Sequence, residues 1–179
     1  FKLTKNMSKR ALYKQLTIIG GGLIGVSLAK VVRENSLVER IKFYDINLDV
    51  RARLKKLSIS DEVNHDILDA VEGSDLIVMA VPVGVMGKVA LNISKGLKKG
   101  SILTDTGSTK LSVINDVKPH VPEGVWFVPS HPLAGTENSG PDAGLASLFK
   151  GKYWILVPDK TVPSNIINGL EKFFSSCGA

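Results

Sequence analysis

Apolar positions along this chain follow two periods in turn, one suited to strands and one to helices. Short apolar runs at 15–19, 40–44, 76–81, 101–104, 125–128 and 153–157 have the length and composition of strands. Helical spacing fills the gaps. Leu23, Ile24, Leu28, Ala29 and Val32 lie on one face of a helix over 23–35, and 48–57 is a polar-faced helix carrying Arg51, Arg53, Lys55 and Lys56. A short helix is predicted over 66–71. Val85, Val89 and Ile93 carry another toward Leu97, closed by Lys98-Lys99-Gly100. Further helices are predicted over 111–117 and 163–174, the last with Pro163 in its first turn. The run 76–81 is apolar throughout, the mark of a central strand covered on both faces, and Pro82 ends it. Strands alternating with helices predict an α/β fold with a doubly wound, mostly parallel sheet.

The first strand runs into Gly20-Gly21-Gly22-Leu23-Ile24-Gly25. Gly20, Gly22 and Gly25 give the spacing G-x-G-x-x-G between a strand and a helix. Gly20 permits a tight turn, Gly22 a close approach of backbone to a pyrophosphate, and Gly25 close packing of helix on strand. The helix N-terminus, with Leu23 and Ile24 in its first turn, offers unpaired N–H groups and a positive dipole end to phosphate. The second strand ends in Asp45, 20 residues after Gly25, where a dinucleotide fold places the carboxylate that binds the adenosine ribose. The pattern indicates a Rossmann-type domain. Asp45 would repel a 2′-phosphate, so the expected cofactor is NAD rather than NADP. Arg51 and Arg53 read as solvated surface.

Composition narrows the picture little further. The 44% hydrophobic and 22% charged content suits a soluble globular chain, and 179 residues suit one domain, expected over 15–179. The net charge of +6 suggests nucleic acid until it is located. Residues 1–14 hold Lys2, Lys5, Lys9, Arg10 and Lys14 and no acid, so five of the six net charges lie in a basic tail. No nucleic-acid partner is expected, and no apolar run has the length of a membrane span. Met7 reads as a candidate start. The lone Cys177 cannot form an internal disulfide, which fits a cytoplasmic setting.

Ligands of doubly wound sheets bind beyond the C-terminal strand ends. There lie the glycine loop, Asp45, Val81-Pro82, the segment Asp105-Thr106-Gly107-Ser108-Thr109-Lys110, and Ser130-His131-Pro132-Leu133-Ala134-Gly135-Thr136-Glu137. Ser108 reads equally as an N-cap and as a functional hydroxyl. Lys110 reads as a partner of Asp105 or of an anionic substrate. His131 follows a strand end directly and is the candidate general base, since imidazole titrates near neutral pH. His65 and His120 read as surface residues. No metal-ligand set is assigned.

The glycine loop, Tyr44-Asp45, Ala80-Val81-Pro82, Asp105-x-x-Ser108-x-Lys110 and His131-Pro132-x-Ala134-Gly135-Thr136-Glu137 together resemble the prephenate/arogenate dehydrogenases of tyrosine biosynthesis. The His-Pro-x-Ala-Gly-Thr-Glu segment, in register after Asp-x-x-Ser-x-Lys, is the specific part. The resemblance implies NAD-dependent oxidative decarboxylation of prephenate or arogenate, with His131 as proton acceptor. It implies cofactor contacts by Gly20, Gly22, Leu23, Ile24, Gly25, Asp45, Val81, Pro82 and Ser108. Ser108, His131, Gly135, Thr136 and Glu137 would meet substrate, with Ser108 and Lys110 assisting His131 in catalysis. Family members add a helical second domain that closes the site, supplies cations for the substrate carboxylates and forms a homodimer. The chain as given reads as the cofactor half, expected to bind NAD with little turnover. Two other readings stand beside this one. A β-hydroxyacid or 6-phosphogluconate-type dehydrogenase would share the sheet, but His131-Pro132 speaks against it. A non-catalytic NAD-binding module would have no chemical need for His131, Ser108 and Lys110.

Overall fold

The computed structural model describes residues 11–179. The candidate start at Met7 and most of the basic tail fall outside the described residues. The first strand, β1 (Tyr13–Ile19), begins two residues earlier than expected, so Lys14 belongs to it. There follow α1 (Leu23–Glu34), β2 (Val38–Tyr44), α2 (Leu48–Leu57), β3 (Glu62–Val63), α3 (Ile67–Val71), β4 (Leu76–Met79), α4 (Met86–Ile93), β5 (Ile102–Asp105), α5 (Lys110–Val117), β6 (Trp126–Val128), β7 (Ser130–Pro132), β8 (Trp154–Leu156) and α6 (Ser164–Ser176). Strands β3-β2-β1-β4-β5-β6 form one sheet in that order, with every pair parallel. The order reverses between β1 and β4, and that switch opens a crevice beyond their C-terminal ends.

The central strands feed two cores because successive side chains point to opposite faces. Leu16 and Ile18 of β1 and Leu76 and Val78 of β4 pack with α1, Phe149 and Phe173. Ile19, Ile77 and Met79 face the other way, against Met86, Ala90, Val113 and Val117 of α4 and α5. No helix of the described residues is long and apolar enough to cross a membrane.

Four expectations need correction. β3 has no apolar run to announce it; two residues extend the sheet beside Lys42 and Phe43. The helix expected from Val85 to Leu97 is three pieces: a 3₁₀ turn at Val83–Val85, α4, and a second 3₁₀ turn at Ser94–Gly96. The strand read over 153–157 is not part of the main sheet. As β8 it pairs antiparallel with β7, the segment read as a loop, in a separate two-stranded sheet. Pro129 explains the departure: it has no N–H to continue the parallel ladder, while its carbonyl accepts the Val157 N–H at 2.8 Å. His131 therefore sits within a short strand.

A small polar cluster ties α3 to β1 and β2. Thr17 and Lys42 are register partners on β1 and β2. The buried Thr17 hydroxyl donates to the Ala70 carbonyl at 2.7 Å and meets Ser74 Oγ at 2.6 Å, and Lys42 Nζ donates to the Asp69 carbonyl at 2.9 Å. Both satisfy carbonyls at the end of α3 that have no helical partner. Thr17→Val keeps the shape and removes the donor, so it should cost about 1–3 kcal/mol in urea unfolding. An unchanged midpoint would show that this contact carries no stability.

Candidate active site

The crevice at the sheet's switch point is built by backbone. Gly20 has φ +107, a conformation that L side chains rarely adopt, and a Cβ there would lie 2.3 Å from the Ala80 carbonyl oxygen. A Cβ on Gly25 would lie 2.1 Å from the Gly20 carbonyl oxygen, so α1 could not lie where it does. Gly22, the N-cap of α1, faces open space. The first turn of α1 has no acidic residue and no side-chain cap, which leaves its N–H groups for an anion.

Asp45 closes this loop from β2. One carboxylate oxygen accepts the Gly21 N–H at 2.7 Å and the other the Asn47 N–H at 2.8 Å. The cleft beside it measures about 500 Å³ and takes in Gly20 to Gly22, Asp45, Ile46, Val81 and Pro82. That volume lies within the usual range for small-molecule and cofactor pockets. Ile46 is 85% exposed and offers an apolar surface next to Asp45. The residues present therefore fit a dinucleotide: phosphate at the α1 N-terminus, a ribose at Asp45, and a flat base on apolar side chains.

Arg53 is exposed, as expected, whereas Arg51 is half-buried. Arg51 lies over the Tyr44 ring at 5.8 Å and donates to the His65 carbonyl at 2.8 Å, and Arg53 pairs with Asp142. Asp142 belongs to a strap that sequence reasoning missed. Lys30 Nζ donates to the Gly144 carbonyl at 2.7 Å, and the Leu145 N–H to Ser27 Oγ at 2.9 Å. Pro141 on this strap walls the cleft, as do Ile67 and Val89. Their spacing belongs to helices and a turn, so only the packed fold brings them to the glycine loop.

The second half of the site lies around His131. Asp105, fully buried at the end of β5, accepts the Gly107 N–H at 2.8 Å, the Ser130 N–H at 3.1 Å and the Lys110 ammonium. Lys110 also donates to the Ser130 carbonyl at 2.5 Å. Burial pushes the Lys110 ammonium below the ordinary lysine range, against the Asp105 carboxylate that holds it up. Of the two readings of Lys110, the structure gives the pairing with Asp105. Its ammonium is held between the Asp105 carboxylate and the Ser130 carbonyl.

His131 Nδ1 lies 3.0 Å from the Thr106 carbonyl oxygen. A carbonyl only accepts, so Nδ1 carries the proton and Nε2 of the neutral ring keeps its lone pair. Thr106 also joins the two halves of the site: its N–H donates to the Met79 carbonyl at 3.1 Å, one residue before the Ala80 against which Gly20 packs. Ser108 is exposed and is not the N-cap of α5; that position is Thr109. Gly135, Thr136 and Glu137 lie in an exposed loop beyond β7, where Thr136 Oγ1 accepts the Asn138 N–H at 3.2 Å. His65 is exposed and His120 half-buried, both away from these groups.

Residues 28–179 match the family model for the prephenate dehydrogenase nucleotide-binding domain. The chain belongs to the prephenate dehydrogenase family. The match begins after the glycine loop, whose role therefore rests on the geometry above. Cyclohexadienyl dehydrogenase of Zymomonas mobilis is 42% identical over 93% of this chain and 57% of its own length. Prephenate dehydrogenase of Bacillus subtilis is 27% identical over 92% of this chain and 44% of its own length. The prephenate dehydrogenase of Aquifex aeolicus, solved with hydroxyphenyl propionate and NAD+, superposes with a TM-score of 0.84 at 30% identity, covering 92% of this chain and 57% of that one. The chain thus spans about half the length of the relatives it matches. The doubly wound sheet expected from the sequence is the nucleotide-binding fold of this prephenate dehydrogenase family.

Removing one partner of a buried ion pair leaves the other charge uncompensated. Lys110→Met should therefore cost about 3–5 kcal/mol in denaturant unfolding. The double variant Lys110→Met, Asp105→Asn should recover part of that loss, because no bare carboxylate remains. Additive losses would show that the pair is not the reason for the cost.

Proposed function

We propose that the chain is the cofactor-binding half of an NAD-dependent dehydrogenase acting on prephenate or arogenate by oxidative decarboxylation. The observation that carries this reading is the Nδ1–H bond of His131 to Thr106. It leaves Nε2 as a proton acceptor at the sheet edge that also carries the glycine loop. Bound NAD would supply the hydride acceptor. His131 Nε2 takes the proton of the ring 4-hydroxyl as C4 loses its hydride; the C1–carboxylate bond breaks, carbon dioxide leaves, its electron pair completes the aromatic ring, and the C4 oxygen takes the proton back. Such general-base assistance contributes about 10²–10⁴-fold.

Ser108, exposed at the rim, hydrogen-bonds the reacting region. Gly135, Thr136 and Glu137 border the substrate on the far side, with Glu137 as a gate. Lys110 acts as a positioning residue through Ser130. NAD is favoured over NADP because the Asp45 carboxylate occupies the ribose position, and both nearby arginines are engaged elsewhere. A homodimeric, cytoplasmic full-length enzyme belongs to the same reading, with the substrate carboxylates bound by cations from the half of the relatives that this chain does not span.

With the full-length protein, prephenate and NAD should raise NADH absorbance, and arogenate in place of prephenate tells the two substrates apart. His131→Asn should lower kcat by about 10²–10⁴-fold, with a far smaller change in NAD affinity. Full turnover by His131→Asn would refute the base assignment. The 179-residue chain should bind NAD more tightly than NADP by calorimetry; equal affinities would remove the Asp45 argument.

A further inference from the structure

Ser130 sits beside His131 with all its polar atoms engaged. Its N–H goes to Asp105 and its carbonyl takes Lys110. Its hydroxyl donates to the Asp105 carbonyl at 2.5 Å, since that oxygen can only accept. It accepts from Thr104 Oγ1 at 2.9 Å and from the indole N–H of Trp154 at 2.9 Å. One proton and two lone pairs are thus all used. The motif reading took in Ser130 but not Trp154, which comes from β8 and is separated from Ser130 by 24 residues of sequence.

The indole is itself held from the far side. It stacks on Phe174 of α6 with centroids 3.9 Å apart and planes 13° from parallel, and it tilts against Phe149 at 4.9 Å. Residue 130 points inward and is fully buried, while His131, next along the strand, points to the opposite, more open face. The His131 backbone is therefore set by what grips Ser130, and from that backbone the ring reaches Thr106.

We propose that Trp154 is a positioning residue for His131: its indole N–H completes the Ser130 hydroxyl shell, and its stack on Phe174 ties the orientation of the imidazole to α6. This deepens the reading of His131 as the base and rests on it for its consequence in turnover. Without the indole N–H, a buried lone pair on Ser130 loses its partner, and the hydroxyl is held only by Asp105 and Thr104. Strand β7 then relaxes, and the His131–Thr106 bond weakens.

The test is the ring nitrogen spectrum of the 15N-histidine-labelled 179-residue chain near neutral pH, with His131 assigned from the His131→Asn spectrum. The wild-type ring should carry its proton on Nδ1. Free imidazole of histidine in water prefers Nε2–H, so Trp154→Phe, which keeps an aromatic ring but not the donor, should move His131 toward Nε2–H. Ser130→Ala should move it further in the same direction, and the His65 and His120 signals should stay put. A folded Trp154→Phe chain with an unchanged Nδ1–H signal overturns the proposal, whatever its melting temperature, because a purely structural role lowers stability without moving the tautomer. In the full-length enzyme, Trp154→Phe should lower kcat by roughly ten- to a hundred-fold with KM for NAD unchanged. The two claims separate cleanly: turnover by His131→Asn tests the base, and the tautomer in Trp154→Phe tests the coupling.

Discussion

The Asp105 carboxylate is the constraint on which the candidate site depends. It is fully buried at the end of a central strand, where an unpaired charge would be costly. Its partners all lie C-terminal to it: the Gly107 N–H, the Lys110 ammonium and the Ser130 N–H. Satisfying one carboxylate thereby closes the turn after β5, starts α5 and fixes the first residue of β7. A lysine placed this way looks like a substrate ligand in a sequence motif. In the fold it is the counter-ion that allows Asp105 to be buried.

A second chain of contacts crosses the site. Gly20 can pack on Ala80 only because it has no side chain. Ala80 follows Met79, whose carbonyl takes the Thr106 N–H, and the Thr106 carbonyl takes the His131 ring. The glycine loop and the histidine thus stand a few residues of rigid strand end apart. Asp45 secures the loop through Gly21, and in the proposed function the same carboxylate would meet a ribose hydroxyl. Exchanging it for a neutral residue would alter the shape of the loop as well as its charge.

Much of this was legible from the chain. The parallel sheet follows from the alternation of apolar runs with helical periodicity, and the glycine loop from its spacing between β1 and α1. The position of Asp45 just after β2 was legible, and so was that of His131 beyond β6, though not that it lies within a strand of its own. What escaped reading depended on contacts distant in sequence. β3 and β7 are too short to show a period. β8 carries an apolar run like that of a sheet strand, but Pro129 turns the chain out of the ladder before it. Trp154, the Gly144 strap and the carbonyl of Thr106 had no local signal, because their role is set by what packs against them. The two roles open for Lys110 differ only in whether Asp105 is buried, and burial cannot be read from a motif.

In the proposed function, the cleft at Asp45 and the imidazole at His131 are two ends of one site. A crystal structure of this chain with NAD+ tests it directly. The adenosine ribose should lie on Asp45, the pyrophosphate at the N-terminus of α1, and the nicotinamide ring in contact with Ser108 and His131. A dinucleotide bound at Asp45 whose nicotinamide turns away from β7, leaving His131 facing only solvent, would contradict it.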